Sequence, residues 1–310
     1  MNHSEDLYSI VIPVYKSEDI VGNTVSQTIE AMLNAGFNCE IILVNDGSPD
    51  NSWHVISSLA KDNPRVRAIN FLHNYGQHTA VYCGIREAKG DFIITMDDDL
   101  QNPPSEIPKL IKKIDEGYDL VFAEFSQKMH GGLRKIGTRI IGYFNKEIFG
   151  KPKDLKLTNF RIFRRETAQR MLQYRTNYPY IPGLLLMHAS RMANVVTEHH
   201  PRTVGKSNYN LWRIGKLVAR LLFNYSSYPL KVVSGLGILI SALSFFAGVY
   251  FIFKSLFAGV EVQGWTTIVV LLSFLCGFIL VLLGIMGEYL ARLMNQMASS
   301  SPYLIRERID

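Results

Sequence analysis

Cysteine is scarce and scattered: Cys39, Cys83 and Cys276 are the only three in 310 residues, and no C-x-x-C pair occurs. That excludes a disulfide framework and a four-ligand zinc centre, and it makes a reduced, cytosolic setting the default. The start lacks a basic segment, since Met1–Tyr8 carries Glu5 and Asp6, and the apolar run Ile10–Val14 is too short for a signal peptide. The N-terminus is therefore expected not to cross a membrane. Neither G-x-x-x-x-G-K-[ST] nor a G-x-G-x-x-G after the first apolar run is present, which argues against a P-loop nucleotide hydrolase and a dinucleotide dehydrogenase. What the chain does have is core: 47% hydrophobic and 19% charged residues exclude intrinsic disorder, and the length allows one or two domains.

Charge is unevenly distributed. Residues 1–127 carry a net −10, residues 128–231 a net +16, and residues 232–310 are neutral. An acidic part beside a basic part suggests a cation site near the one and a polyanion or anionic surface near the other, with nucleic acid and lipid headgroups as the candidates. The neutral segment favours lipid. Val232–Phe253 and Thr266–Gly287 are each 22 residues long without Asp, Glu, Lys or Arg, enough to cross about 30 Å of hydrocarbon. Two transmembrane helices are expected. Arg202, Lys206, Arg213, Lys216, Arg220 and Lys231 precede the first span, whereas Lys254–Trp265 between the spans holds one Lys and one Glu. The positive-inside rule then places both termini in the cytoplasm. Residues 208–228 set Arg213, Lys216 and Arg220 opposite a mainly apolar face, the pattern of an interfacial helix, and a less regular one runs from Leu133 to Phe149.

The first two hundred residues read as alternating strands and helices. Strand-like runs at Tyr8–Tyr15, Glu40–Asn45, Val66–Leu72, Asp91–Met96 and Tyr118–Phe125 alternate with helical stretches near 18–35, 50–61, 77–89 and 104–116. This predicts an α/β domain with a mostly parallel sheet, whose ligands bind beyond the carboxyl ends of the strands. The first run ends in Pro13-Val14-Tyr15-Lys16-Ser17-Glu18, a loop opening over the sheet edge. The second ends in Asn45-Asp46-Gly47-Ser48-Pro49-Asp50. Asp46 there either accepts hydrogen bonds from a nucleobase or ribose, or belongs to a turn in which Asp50 or Ser48 caps the next helix. The fourth runs into Asp97-Asp98-Asp99-Leu100-Gln101. Period-two geometry sends Asp97 and Asp99 one way and Asp98 the other. Two converging carboxylates repel unless a cation lies between them, and oxygen ligands favour Mg²⁺ or Mn²⁺ shared with substrate phosphates. The alternative is a capping loop before Asn102-Pro103-Pro104.

The ordered set Val11-Ile12-Pro13-Val14-Tyr15, Asn45-Asp46-Gly47-Ser48, Asn74-Tyr75-Gly76-Gln77, Asp97 to Pro104 and Gly205-Lys206-Ser207-Asn208-Tyr209, followed by two spans, resembles the GT-A, family 2 glycosyltransferases that charge polyprenyl phosphates. It looks closest to the undecaprenyl-phosphate sugar transferases and more distantly like dolichol-phosphate mannose synthase. The likeness covers nearly the whole chain and is specific to the group but not to the sugar. It implies a Rossmann-like GT-A catalytic domain over residues 1–207, an interfacial helix over 208–228, a two-helix transmembrane hairpin within 229–290 and a cytoplasmic tail over 291–310.

The resemblance also implies roles. Asp97, Asp99 and Gln101 would hold Mg²⁺ or Mn²⁺ on the diphosphate of a nucleotide-sugar, with UDP the expected nucleotide. Pro13, Tyr15, Glu18, Asp46, Gly76, Gln77 and Asp98 would line the nucleotide site. Arg134, Arg139 and Arg202, with Lys206 and Ser207, would hold the phosphate of the lipid acceptor. The family often has Asp before Phe-Arg where this chain has Asn159, so no general base stands there. A phosphate monoester is already anionic at pH 7 and needs none. Asn159 is expected to position, and Arg202 to take part in catalysis. The implied enzyme is a metal-dependent, inverting glycosyltransferase on the cytoplasmic face of the inner membrane, assembling as a homotetramer and serving the cell envelope. Competing readings are a silent scaffold or nucleotide-sugar sensor, a processive polysaccharide synthase, for which the Q-x-x-R-W segment is missing, and a transporter, for which two spans give too little wall. Nucleic-acid binding fits poorly because the basic residues cluster beside apolar spans.

Overall fold

A computed structural model of the protein describes residues 6–125, 132–200, 211–258, 264–298 and 301–310. The chain divides into two compact units: Met1–Gly215 with Ser299–Asp310, and Lys216–Ala298.

The first unit is built on one eight-stranded sheet. Its central strands are β1 (Leu7–Val14), β2 (Asn38–Asn45), β3 (Val66–Phe71) and β4 (Phe92–Thr95), all parallel. The five strand-like runs read from the sequence begin and end within two residues of observed strands, the fifth being β5 (Leu120–Phe125). β1 is buried from Tyr8 to Val14, and β2 from Cys39 to Asn45. Such uninterrupted apolar strands pair in parallel because helices cover both faces. The covering helices are α1 (Val21–Asn34), α2 (Ser52–Asp62), α3 (Gln77–Glu87) and α4 (Ile107–Ile114). In α4, Ile107, Leu110, Ile111 and Ile114 recur at helical spacing and are all buried, which turns its lysines outward.

Sequence periodicity missed several elements. After helix α5 (Gly132–Phe149), the short strand β6 (Arg161–Arg164) inserts antiparallel between β4 and β5. Helices α6 (Arg165–Gln173) and α7 (Ile181–His188) lead to β7 (Met192–Thr197), which runs parallel to β5. α5 ends against this part of the domain, where its buried Asn145 donates to Tyr180 Oη at 3.2 Å and Phe149 is buried. The far edge holds β8 (Ile305–Ile309), antiparallel to β3, inside the segment read as a tail. The order is β7-β5-β6-β4-β1-β2-β3-β8. Because β1 to β4 are parallel, the loops after Val14, Asn45, Phe71 and Thr95 share one rim. Antiparallel β6 brings its entry, Asn159–Arg161, to the same place.

The second unit contains most of α8 (Leu211–Tyr225), with α9 (Tyr228–Ala258) and α10 (Trp265–Ala298). The spans read from the sequence fall inside α9 and α10. Among the described residues one stretch, Phe274–Ala291 of α10, is long and apolar enough to cross a membrane, with mean hydropathy 2.1 and none of it buried. The helix core of a soluble domain would be covered; this one is bare. α9 carries a shorter apolar stretch, Tyr228–Ile240. The two helices pack where Gly237 faces the Phe278 ring, and Tyr289 Oη of α10 donates to Ser226 O, in the turn between α8 and α9, at 3.0 Å.

Candidate active site

At the carboxyl rim of the parallel strands lies a cavity of about 530 Å³, lined by Pro13, Val14, Tyr15, Asp46, Asn74, Gly76, Gln77, Asp97, Asp98, Asp99 and Asn159. Residues from five separate chain segments converge there. Of the residues expected at the nucleotide and metal sites, only Glu18 and Gln101 are absent from this lining.

The loops after β1 and β2 are laced together. Lys16, with φ 57°, donates its N–H to Ser48 Oγ at 2.7 Å, and Ser17 N–H donates to Ser52 Oγ at 3.0 Å. Glu18 is exposed and turns to the start of α2, accepting from Asn51 N–H at 2.7 Å; this tie holds the loop and takes its carboxylate away from the cavity. Asp50 accepts from the Ser48 hydroxyl and, at 3.2 Å, from Ser52 N–H, so the turn-and-cap reading describes Asp50.

Asp46 has a different job. It is buried, and its carboxylate accepts from Tyr75 N–H at 2.7 Å and Gly76 N–H at 2.9 Å, while its carbonyl accepts from Asn74 Nδ2 at 3.1 Å. Burial pushes its pKa up and the two amide bonds pull it back. Asp46 thus fixes the Asn74–Gln77 loop as well as facing the cavity. The two turns touch at Gly47, where φ is +60° and a Cβ would meet His73 C at 2.5 Å, so only glycine fits.

The acid cluster follows β4. Asp97 accepts from Gln77 Nε2 at 2.5 Å and from Asn159 Nδ2 at 3.3 Å. Burial and the neighbouring Asp99 push its pKa up to about 6, opposed by Asn159, Arg161 and Gln77. Asp98 takes the Ser17 hydroxyl, and burial raises it to about 7. It lines the same cavity as its neighbours rather than facing wholly away, because the strand ends at Thr95 and Leu100 has φ 54°, which breaks the period-two alternation. Asp99 accepts from Gln101 N–H at 3.2 Å, and Gln101 O accepts from His200 N–H at 2.9 Å.

Among the described residues no group of three or more His, Cys, Asp or Glu side chains is placed to hold a metal. Asp97 and Asp99, two half-buried carboxylates at one strand end, are still a fitting donor set for a hard divalent cation. Mg²⁺ commonly takes one or two carboxylates and completes its shell with water and substrate phosphate. The metal-free protein should show its own signature. Asp97 and Asp98 titrate near 6 and 7 when folded against 3.8 ordinarily, so the folded chain holds protons that the unfolded chain has released. Stability is then highest towards the ordinary carboxylate pKa and falls as pH rises through about 6 to 7. His78, pushed down to about 4 by burial and Arg161, works the other way, and so does His199, lowered by partial burial; the upward shift of Asp98 to about 7, added to that of Asp97, keeps the net sign. Melting temperatures of chelator-treated protein should therefore rise from pH 8 to 5.5; a fall over that window would contradict the cluster's electrostatics.

Sequence reasoning passed over one residue beneath this floor. Arg161 is 1% exposed, its Nε donates to Thr95 Oγ1 at 2.9 Å, and its Nη1 has no partner. Thr95 in turn donates to Asn159 O at 2.7 Å, so one hydroxyl ties β4 to β6 behind the acids. Burial lowers the Arg161 pKa to about 10 while Asp97 raises it. The available signal was a lone cation within the apolar run Phe160–Phe163. The expected acceptor residues are a separate matter. Arg202, Lys206 and Ser207 lie outside the described residues, and Arg134 and Arg139 lie on α5 at positions whose side chains are not described.

The Glycosyl transferase family 2 profile matches residues 9–177. The undecaprenyl-phosphate 4-deoxy-4-formamido-L-arabinose transferase of Shewanella sediminis is 32% identical over 309 residues, covering 99% of this chain and 93% of the relative. The transferase of that name from Yersinia pestis is 34% identical, covering 96% and 92%. An uncharacterised glycosyltransferase of Synechocystis is 31% identical, covering 96% and 94%. Among solved structures, glucosyl-3-phosphoglycerate synthase of Mycobacterium tuberculosis with Mn²⁺, UDP and phosphoglyceric acid superposes with TM-score 0.52 at 17% identity, covering 71% of this chain and 77% of that one. Mannosyl-3-phosphoglycerate synthase of Rubrobacter xylanophilus gives 0.50 at 16%, covering 70% and 74%. At such identity these two speak for the fold alone, and the fold is GT-A. With the profile spanning more than half the chain and relatives above 30% identity along its length, the protein belongs to glycosyl transferase family 2.

Proposed function

We propose that this enzyme transfers a sugar from a nucleotide-sugar, with UDP as the nucleotide, to a polyprenyl phosphate, with undecaprenyl phosphate as the lipid, at the cytoplasmic face of the inner membrane. The observation that carries this reading is the acid-floored cavity at the carboxyl rim, in a chain that also bears a bare apolar helix. The full-length relatives named for undecaprenyl phosphate support the choice of acceptor. In this reading α9 and α10 form the membrane hairpin, and the product enters cell-envelope glycan or lipid modification.

An oxygen of the acceptor phosphate attacks the anomeric carbon as the bond to the nucleoside diphosphate breaks, inverting the centre. Asp97 and Asp99, with Gln101 two residues on although outside the cavity lining, would hold a divalent cation, Mg²⁺ or Mn²⁺, which when bound would neutralise the charge of the diphosphate. Gln77 and Asn159 each donate to Asp97 and hold its carboxylate in one orientation. Arg161 lends the cluster a fixed positive charge from below. Asp46 keeps the Asn74–Gln77 wall in place for the base and ribose, with Pro13 and Tyr15 opposite. Asn159 positions and abstracts no proton, because the acceptor arrives ionised. Arg134, Arg139 and Arg202, with Lys206 and Ser207, oppose the acceptor's charge, which the acids would otherwise repel; holding both anions in one orientation supplies the proximity term.

The test is purified protein with Mg²⁺ or Mn²⁺, a panel of nucleotide-sugars and a short polyprenyl phosphate. Release of nucleoside diphosphate that depends on the lipid supports the reading. Donor binding without release points instead to a silent sensor, the reading that the loss of the family's Asp at Asn159 favours. Arg202→Ala should raise KM for the polyprenyl phosphate about tenfold, the loss of about one charged hydrogen bond, while KM for the donor stays unchanged; the reverse pattern would remove Arg202 from the acceptor site.

A further inference from the structure

The segment after α10 ends as part of the catalytic sheet, and its contacts lead to the cavity. β8 pairs antiparallel with β3, with Ala68 opposite Ile309, Ile69 opposite Arg308 and Asn70 opposite Glu307. The register shifts between Asn70 and Phe71, and beyond the shift Leu72 N–H donates to Leu304 O at 3.0 Å. Three polar ties are spread along the strand: Trp53 Nε1 to Glu307 at 3.2 Å, Arg308 to Glu87 at 3.2 Å, and Arg67 to Asp310 at 2.7 Å. Glu307, Arg308 and Asp310 are exposed, so water and salt screen these ties and they contribute little.

The buried contact is Tyr303. It is 6% exposed, stacks on Phe71 with ring centroids 4.9 Å apart, and its hydroxyl is hydrogen-bonded to the buried Cys83 thiol on α3. Phe71 is itself 1% exposed and meets the Tyr75 ring edge-on at 5.6 Å. The N–H groups of Tyr75 and Gly76 are those that Asp46 receives, and Asn74, Gly76 and Gln77 wall the cavity. A packed path therefore runs from Tyr303 through Phe71 and Tyr75 to Asp46. β8 also covers the edge of β3, which would otherwise present unpaired backbone groups.

We propose that Tyr303, at the root of β8, is a positioning residue for donor binding: by stacking on Phe71 it fixes Tyr75 and so holds the Asn74–Gln77 wall of the nucleotide site. This rests on the cavity being the nucleotide site of the proposed function. Donor affinity then depends on a segment that follows the apolar helix α10 in the chain, some 230 residues away in sequence from the wall it supports.

The test uses the full-length protein in detergent with Mn²⁺. Affinity for UDP is measured by calorimetry, and exchange of the Tyr75 and Gly76 amides by hydrogen–deuterium exchange. Tyr303→Ala should weaken UDP binding about tenfold, the scale of one lost hydrogen bond to a charged group, and speed exchange of those amides by a similar factor. Tyr303→Phe, which keeps the stack, should stay within about twofold of wild type by the same scale, and KM for the polyprenyl phosphate should not change in either variant. If Tyr303→Ala frees the β8 amides to exchange yet leaves UDP affinity and the Tyr75 and Gly76 amides as in wild type, the proposal is overturned. Should Tyr303→Ala fail to fold, Phe71→Leu, which keeps an apolar side chain but removes the stack, carries the same expectation and the same refutation. Wild-type protein that binds no nucleoside diphosphate would instead overturn the proposed function itself.

Discussion

Asp99→Ala should reduce sugar transfer by at least about a thousandfold, the kinetic equivalent of roughly 4 kcal/mol of lost charge stabilisation. Asp98 is taken by the Ser17 hydroxyl and Asp46 by the Tyr75 and Gly76 amides, so Asp97 and Asp99 are the carboxylates that would face a cation. Removing Asp99 would take away one of the two charged protein ligands of the cation and weaken its hold on the diphosphate. The same change has the opposite sign on the metal-free chain. Asp99 helps push Asp97 up to about 6, so its removal relieves repulsion, and chelator-treated Asp99→Ala should melt no lower than wild type. Adding Mn²⁺ should then raise the wild-type melting temperature and leave the variant unmoved, since only a ligand bound to the folded state stabilises it. Wild-type turnover in Asp99→Ala would remove the metal from the mechanism.

Arg161→Ala carries the largest expected effect on stability, about 3–5 kcal/mol, because it combines a core cavity with the loss of a buried charge partner. Among the described residues Arg161 is the largest fully buried side chain, and its positive charge opposes the upward shift of the Asp97 pKa. Truncation removes the bond to Thr95 and leaves the neutral hydrogen bonds from Gln77 and Asn159 to offset Asp99 beside Asp97. Asp97 can limit the damage by taking a proton, so the cost should be greater at pH 8 than at pH 5.5. Thermal unfolding of the purified protein should show a loss of about 6–20 °C. Arg161→Lys keeps the charge but cannot reproduce the Nε bond, and should lose less. A drop under about 2 °C for the alanine variant would mean that the buried guanidinium stabilises nothing.

These two residues show how differently the site was legible. Asp97, Asp98 and Asp99 stand in an unbroken run after an apolar strand, and their repulsion can be inferred without coordinates. Arg161 sits in a four-residue strand between Phe160 and Ile162, and nothing local distinguishes a buried cation from one at a sheet edge. β6 escaped because arginines stand at both of its ends, and β7 because it is an edge strand that is only half-buried and carries no apolar alternation. Glu18 and Asp46 were noticed for the right loops, but their partners are backbone N–H groups of Asn51, Tyr75 and Gly76, supplied by other loops.

By itself the amino-acid order determined the parallel core, the acid run at a strand end, the apolar C-terminal helices and the membership of a glycosyltransferase family, because each is written in contiguous residues whose period or charge is local. Only the tertiary structure decided that Asp46 holds a wall, that Arg161 underlies the acids, and that the chain's last residues return to the sheet at β3. Those depend on which loops meet at a rim and which edge of a strand is left unpaired, and such meetings are set by packing between segments that share no signal in sequence.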